Sequence, residues 1–289
     1  MPYRLKLRRL TGRSHIVGIQ NLLRDREKLQ ADFEQEFSRF FTQRAQWLAK
    51  RANTFEAPVK PLDELIPKPK RILVLSPHPD DELIGCGGTI LKYMSLGAEA
   101  TILQLTDGAN CAALLGAEPA IRATARLREA EQVARYLKVD DLRLWGLPDS
   151  VFQVDEALVT KMRDILVELN PDIIFIPFVN DLHRDHVKTN LLLFQALQSI
   201  ANQSNVFVCS YETWAVVPGN AYMVTTEFFE RKATALSLYP IPMKVVDYIE
   251  FCARREAYHH YNIKNSIGFI ENFQLLDIPS YMKMMKDES

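Results

Sequence analysis

One histidine and three carboxylates crowd into the stretch Ser76-Pro77-His78-Pro79-Asp80-Asp81-Glu82, and a second cluster, His183-Arg184-Asp185-His186, lies far downstream. Imidazole and carboxylate are the ligands that hold a catalytic divalent ion while leaving one position open. His78, Asp81 and His186 can supply two imidazoles and one carboxylate to such an ion. Bound zinc brings water from a pKa of about 15.7 to about 7, which suits hydrolysis of an unreactive bond such as an amide. That reaction also needs a base for the water, a stabiliser for the oxyanion and a proton for the departing amine. Asp80 neighbours a ligand and is the natural base. His183 lies three residues before His186, so a turn can place it across the metal, donating to the oxyanion or to the leaving nitrogen. Asp185 can hydrogen-bond the ring of His183 and raise its pKa.

Each cluster alone also has a plain structural reading. An Asp-Asp-Glu run ahead of a helix complements the helix dipole, and a His-x-x-His pair is common surface polarity. Both clusters, each directly after an apolar strand, together favour a site. Gly85-Cys86-Gly87-Gly88 resembles a phosphate-cradling loop, but that motif needs its glycines directly after the strand. Here His78-Pro-Asp-Asp-Glu82 intervenes, and the glycines are read as letting a helix approach the sheet closely. Asp107, Arg126 and Asp149 fall near strand ends or on the helix facing them. As a set they can line a polar pocket for a hydroxyl-rich ligand. His259-His260 has no carboxylate at ligand spacing and is read as structural or as part of a rim.

The elements that must position these groups alternate between strand and helix. Apolar runs predict strands at 72–75, 100–105, 142–145, 173–176 and 206–211, and helical spacing predicts helices at 82–96, 121–138, 155–169, 187–200, 227–238 and 243–261. Residues 109–120 read as a mobile loop and the segment after 261 as mixed. This alternation implies an α/β fold, a mostly parallel Rossmann-like sheet flanked by helices with right-handed crossovers. Ligands bind at the C-terminal edge of such a sheet. Both His/Asp clusters would emerge there.

Ahead of this domain, residues 1–54 are expected to form a helical extension. Leu22, Leu29, Phe33, Phe37, Phe40 and Trp47 fall on one helical stripe. That stripe suits packing on the main domain, a dimer contact or an interfacial membrane helix. Residues 55–70 read as a Pro-rich linker, and 71–289 as the main domain. The extension holds twelve Lys/Arg against five Asp/Glu, so with a net charge of −1 for the whole chain the remainder carries −8. A basic arm on an acidic body gives no ground for expecting nucleic acid as a partner. The 289 residues are 47% hydrophobic and 25% charged, the composition of a globular protein. Four widely spaced cysteines without a C-x-x-C pair read as thiols in a reducing compartment. No signal-peptide core and no apolar run of about 18 residues stands out, and the expectation is a cytoplasmic, soluble or peripherally attached protein.

Pro77-His-Pro-Asp-Asp-Glu82 with His183-Arg-Asp-His186 resembles the zinc-dependent PIG-L/LmbE family of N-acetyl-sugar deacetylases. Gly85-Cys-Gly-Gly88, Thr106-Asp-Gly108, Arg126-x-x-Glu129, Leu147-Pro-Asp149, Glu212-Thr-Trp214, Lys232, Tyr239 and Arg254 resemble further landmarks in order, over about Arg71 to Phe273. The resemblance implies zinc held by His78, Asp81 and His186, and Asp80 as base. It also implies His183 assisting the tetrahedral intermediate, Asp185 orienting it, and Arg126 and Asp149 contacting an N-acetylglucosamine conjugate. Met223-Val-Thr-Thr226 and Tyr239-Pro-Ile-Pro242 depart from the family pattern in the part that shapes the aglycone pocket. Two rival readings stand beside this one: a nucleotide-binding module built on the Gly-rich turn, and a scaffold or membrane-docking protein whose site is vestigial.

Overall fold

A computed structural model describes residues 59–114, 116–200, 205–263 and 268–286. The expected extension over 1–54, with its aromatic stripe, lies outside the described residues. Five strands run parallel: β2 (Arg71–Ser76), β3 (Glu99–Thr106), β4 (Asp141–Leu147), β5 (Ile173–Pro177) and β6 (Phe207–Tyr211). Their side-by-side order is β6-β5-β2-β3-β4. The chain therefore winds outward from β2 to β4, then returns to β5 on the other flank of β2. The crevice between β2 and β5 is the topological switch point of the sheet, where such folds bind ligands. Ile72 to Leu75 and Ile173 to Ile176 are all buried because helices cover both faces, which is why these strands read as unbroken apolar runs.

The crossovers are α2 (Asp81–Ser95), α3 (Pro119–Leu137), α4 (Glu156–Leu169) and α5 (Arg184–Gln198), with α1 (Leu62–Leu65) ahead of them. Their ends follow local chemistry. Pro119 opens α3, Asp155 caps α4 by accepting from Leu158 N at 2.8 Å, and left-handed Asn170 closes α4 ahead of Pro171. Helix α5 begins earlier than its apolar spacing suggests, because His183 caps it: its Nδ1 accepts from Asp185 N at 3.2 Å.

Part of the Pro-rich stretch is built into this domain. Strand β1 (Lys60–Pro61) pairs in parallel with β7 (Ala221–Val224), Leu62 is fully buried, and Asp63 takes an ion pair from Lys92 at 2.7 Å. Strands β7 and β8 (Ile270–Asp277) were not expected. Strand β8 runs antiparallel to both β6 and β7 and carries buried Glu271 and Asn272, which interrupt any apolar pattern. The expected helix 243–261 is a short 3-10 turn, Pro242–Lys244, followed by α7 (Tyr248–Asn262) capped by Asp247. The expected loop 109–120 contains a 3-10 turn at Ala112–Leu114. Helices α6 (Thr226–Leu236) and α8 (Ile278–Lys286) complete the order. Among the described residues, no helix is long and apolar enough to cross a membrane.

Helix α2 is broken at Cys86 (φ −147°, ψ 21°). The break frees hydrogen-bonding groups on both sides, and charged side chains take them. The Ile84 carbonyl accepts from Lys232 Nζ at 3.3 Å and Arg255 Nη2 at 2.5 Å. Gly88 N and Thr89 N both donate to the Glu271 carboxylate at 2.8 Å. Lys232, fully buried, pairs with Glu271 at 2.6 Å and with Glu256 at 2.5 Å. Gly85 sits so close to β6 that a Cβ there would lie 2.0 Å from the Tyr211 ring. The Gly-Cys-Gly-Gly run thus brings the helix against the sheet, and its freed amides meet a carboxylate rather than an open phosphate cradle.

Candidate metal centre

Both clusters leave the C-terminal edge of the sheet on either side of the switch point. Pro77 to Asp80 forms a turn between β2 and α2, and Asp80 adopts φ 120°, ψ −28°, a conformation that costs a non-glycine residue about 1–3 kcal/mol. The turn is held from beneath. Glu82 accepts from Asp80 N at 3.2 Å, Ser76 Oγ at 2.8 Å and Tyr239 OH at 2.7 Å. Arg126 donates to the Pro79 carbonyl, to Asp80 Oδ2 at 2.8 Å and to Glu129.

The three imidazoles converge. Ring centroids of His78 and His183 lie 4.4 Å apart, His78 and His186 5.4 Å, and His183 and His186 5.1 Å. One nitrogen from each lies within 4.8 Å of the others. Asp81 Oδ2 stands between two of them, 3.0 Å from His78 Nδ1 and 3.2 Å from His186 Nε2. The outer nitrogens face other acceptors. His186 Nδ1 lies 3.1 Å from Asp181 Oδ1 and 3.1 Å from Thr213 Oγ1. His78 Nε2 lies 3.2 Å from Asp185 Oδ2 and 3.4 Å from Asp149 Oδ1. This leaves His186 Nε2 buried without a hydrogen bond, aimed at the Asp81 side of the site. Two inward nitrogens, one shared carboxylate oxygen and outer-nitrogen acceptors fit a divalent ion, since ligating histidines donate their other N–H to a carboxylate or carbonyl.

Charge is balanced around this centre. Burial pushes the Asp80 carboxyl up to about 8, aided by the Asp81 and Glu82 charges and opposed by Arg126. Burial also works against ionised Asp81, but the His186 charge and the closeness of both imidazoles hold it well below the usual carboxylate range. Burial opposes protonated His186, yet Asp81 and Asp181 raise it to about 9. His183 goes the other way, lowered to about 4 by burial and by the neighbouring His78 and His186 charges.

The expected site residues come together with three differences of detail. Asp185 does not turn its carboxylate to the His183 ring. That carboxylate faces His78 and accepts from Ser150 N at 2.7 Å, while the Asp185 amide donates to His183 Nδ1. The ring's pKa falls rather than rises, because burial and two nearby imidazoles outweigh the more distant acids. Asp107 does not line the cavity. Its carboxylate is taken by the backbone of Ala109 and Asp149. Arg126 lines the cavity beside Asp149, but its guanidinium is engaged with Asp80 and Glu129. The cavity, of about 250 Å³, is polar at the base (His78, Asp80, Asp81, His183) and has an apolar wall that includes Trp214, Val245 and Tyr248.

Asp181, Thr213 and Arg255 carried no role in the sequence reading. Asp181, fully buried, accepts from the amides of His183, Trp214 and Ala215 and from Thr213 Oγ1 at 2.7 Å. A lone aspartate between Asn180 and Leu182 looks like a turn residue, and only its position just before the His-Arg-Asp-His run could have marked it. Arg254, the expected landmark, is a surface residue paired with Glu250, whereas its neighbour Arg255 reaches the interior.

Residues 73–197 match the family described as PIG-L, GlcNAc-PI de-N-acetylase. The diacetylchitobiose deacetylase of Thermococcus kodakarensis is 29% identical over 153 residues, which cover 50% of this chain and 56% of that one. The chain thus spans a little over half the length of that relative. Among solved structures, the N,N'-diacetylchitobiose deacetylase of Pyrococcus horikoshii with its inhibitor MPG superposes with a TM-score of 0.66 at 23% identity, covering 82% of this chain and 93% of that one. GalB, the 4-carboxy-2-hydroxymuconate hydratase of Pseudomonas putida KT2440, superposes with a TM-score of 0.62 at 18% identity, covering 72% and 96%. At these identities the likeness is one of fold, and a site of its own must carry the chemistry.

Proposed function

On the match of residues 73–197 to the PIG-L family, we propose that this chain is a zinc-dependent hydrolase that removes the N-acetyl group from an N-acetylglucosamine conjugate. The observation that carries the reading is the convergence of His78, Asp81 and His186, with Asp81 Oδ2 at 3.0 and 3.2 Å from the two inward nitrogens. Those three residues would hold the cation. When bound, it would polarise the acyl carbonyl and lower the pKa of water from about 15.7 towards about 7.

The chain's own residues supply the rest. Asp80, on the cavity wall, takes a proton from the attacking water and returns it to the departing nitrogen. Its strained backbone and its ion pair with Arg126 fix the carboxylate where it is needed. A nearby cation favours the ionised form of Asp80, the form a base requires. His183 is neutral at pH 7, and because its Nδ1 accepts from the Asp185 amide, the ring proton sits on Nε2. That proton is free to stabilise the developing oxyanion. Asp149 and the Asn110 side chain, joined through the Asp149 carbonyl at 2.8 Å, offer polar groups to sugar hydroxyls. The diacetylchitobiose deacetylase likeness supports an amino sugar as substrate.

The experiment is metal analysis together with acetate release from a panel of N-acetylglucosamine conjugates. Asp80→Asn should keep the metal and lose about 10²–10⁴-fold in turnover. Undiminished turnover would remove Asp80 as the base, and no acetate from any conjugate in the metal-loaded protein would overturn the N-acetyl reading.

A further inference from the structure

We infer that Arg255 is a positioning residue that ties the Asp80–Asp81 turn to the Glu212–Thr213 loop and so sets the spacing between the two halves of the metal centre. The inference rests on the metal reading above.

The two halves come from different parts of the chain. His78, Asp80 and Asp81 follow β2, whereas His186 is steadied by Asp181 and Thr213, the latter just past β6. A metal site tolerates about 0.5 Å of error in such a spacing. Arg255, on α7 with its side chain 14% exposed, spans the gap with one guanidinium. Nη2 donates to the Ile84 carbonyl at 2.5 Å. Nη1 donates to the carbonyls of Glu212 at 3.0 Å and Thr213 at 3.3 Å. Nε lies 3.7 Å from Glu212 Oε2.

Both anchor points are one short step from the site. Ile84 is the last residue before the Gly85–Cys86 break, and its amide donates to the Asp80 carbonyl at 2.9 Å. The Asp81–Ile84 turn is therefore a short rigid piece whose orientation the rest of α2 does not dictate. On the other side, Thr213 Oγ1 touches both His186 and Asp181. Only a planar fork with donors fixed in separate directions can hold two loops in register. The lysine ammonium is a point charge on a flexible stem and cannot reproduce this. Lys232 grips the same Ile84 carbonyl at 3.3 Å but is otherwise spent on Glu256 and Glu271. It steadies one half alone.

Hydrogen exchange of the metal-free, unaltered chain in mild denaturant tests the coupling directly. The amides of Leu83 and Ile84 on one side and of Trp214 and Ala215 on the other should exchange through one shared opening that lies below global unfolding. Openings at unrelated free energies would overturn the inference. In Arg255→Lys both segments should exchange at least about tenfold faster while β2 and β5 keep their protection. Loosening of only one segment, of neither, or of the whole sheet equally would count against it. A Co²⁺ competition titration gives the second readout, with affinity in Arg255→Lys expected to fall about 10–100-fold. Unchanged Co²⁺ affinity would also overturn it. Failure of the unaltered chain to bind Co²⁺ would sink the metal reading instead, and the exchange data would then judge the coupling alone. Should Arg255→Lys not fold, the exchange pattern of the unaltered chain still decides.

Discussion

Asp181 grips the outer face of His186: its Oδ1 lies 3.1 Å from Nδ1, and neither side chain is exposed to solvent. The contact fixes which ring nitrogen points inward. Asp181→Asn keeps the shape but replaces an anionic acceptor by an amide, one of whose two ends is a donor. The expected result is a folded protein with metal affinity lower by about 10–100-fold, measured by chelator competition.

Metal should stabilise this chain as well as activate it. Buried Asp80, Asp81, Asp149 and Asp185 gather around His78, His183 and His186 at this site. A ligand that binds only the folded state adds about 2.7 kcal/mol at a free concentration of 100 times its Kd. Thermal melts with zinc and with a chelator should differ by several degrees, and His186→Ala should abolish the difference.

The pH dependence of stability should carry a signature from Glu212. Burial opposes its charge, but the hydrogen bond from His259 at 2.7 Å and the nearby Arg255 hold its pKa below the ordinary 4.5. A folded-state pKa below the unfolded one means stability that is fully present above about 4.5 and lost as the pH falls through the folded value. Glu212→Gln should cost about 1.5–3 kcal/mol at pH 7. The gap between variant and parent should narrow in denaturant melts as the pH is taken below 4.5. A gap that stays constant with pH would remove Glu212 as the group responsible.

Gly85→Ala tests the close approach of α2 to the sheet. The added methyl would lie 2.0 Å from the Tyr211 ring, which is pinned by its hydroxyl donating to the Leu75 carbonyl at 2.8 Å. Because the ring cannot swing aside without giving up that bond, the substitution should destabilise by about 1–3 kcal/mol in a denaturant melt. It should also weaken metal binding, since the displaced turn carries Asp81.

The parallel half of the sheet was legible because its strands are buried on both faces and read as apolar runs, Ile72 to Leu75 and Ile173 to Ile176 being the clearest. The convergence of His78, Asp81 and His186 followed from two clusters placed after two such strands. What stayed hidden depends on contacts between distant segments. Strand β8 holds Glu271 for the amides of Gly88 and Thr89, and buried charge of that kind erases the pattern by which a strand is found. The Asp185 carboxylate meets His78 rather than its near neighbour His183 because the first turn of α5 aims it across the crevice. Spacing along one segment says nothing of that. The break at Cys86 was equally invisible, since a Gly-Cys-Gly-Gly run is compatible with a continuous helix, a loop or a kink until the partners of Ile84 and Gly88 are known.

The position of β8 has a consequence for how the molecule is made. It lies between β6 and β7 in the sheet, yet it follows both in the chain. While the ribosome is still translating the earlier elements, β6 is an unprotected edge, a template on which strands of other nascent chains can pair. The amides of Gly88 and Thr89 likewise wait for the Glu271 carboxylate. Every histidine and carboxylate of the cavity has been synthesised by then, but the helix that bears Asp81 reaches its final seating only when the last strand slides into place.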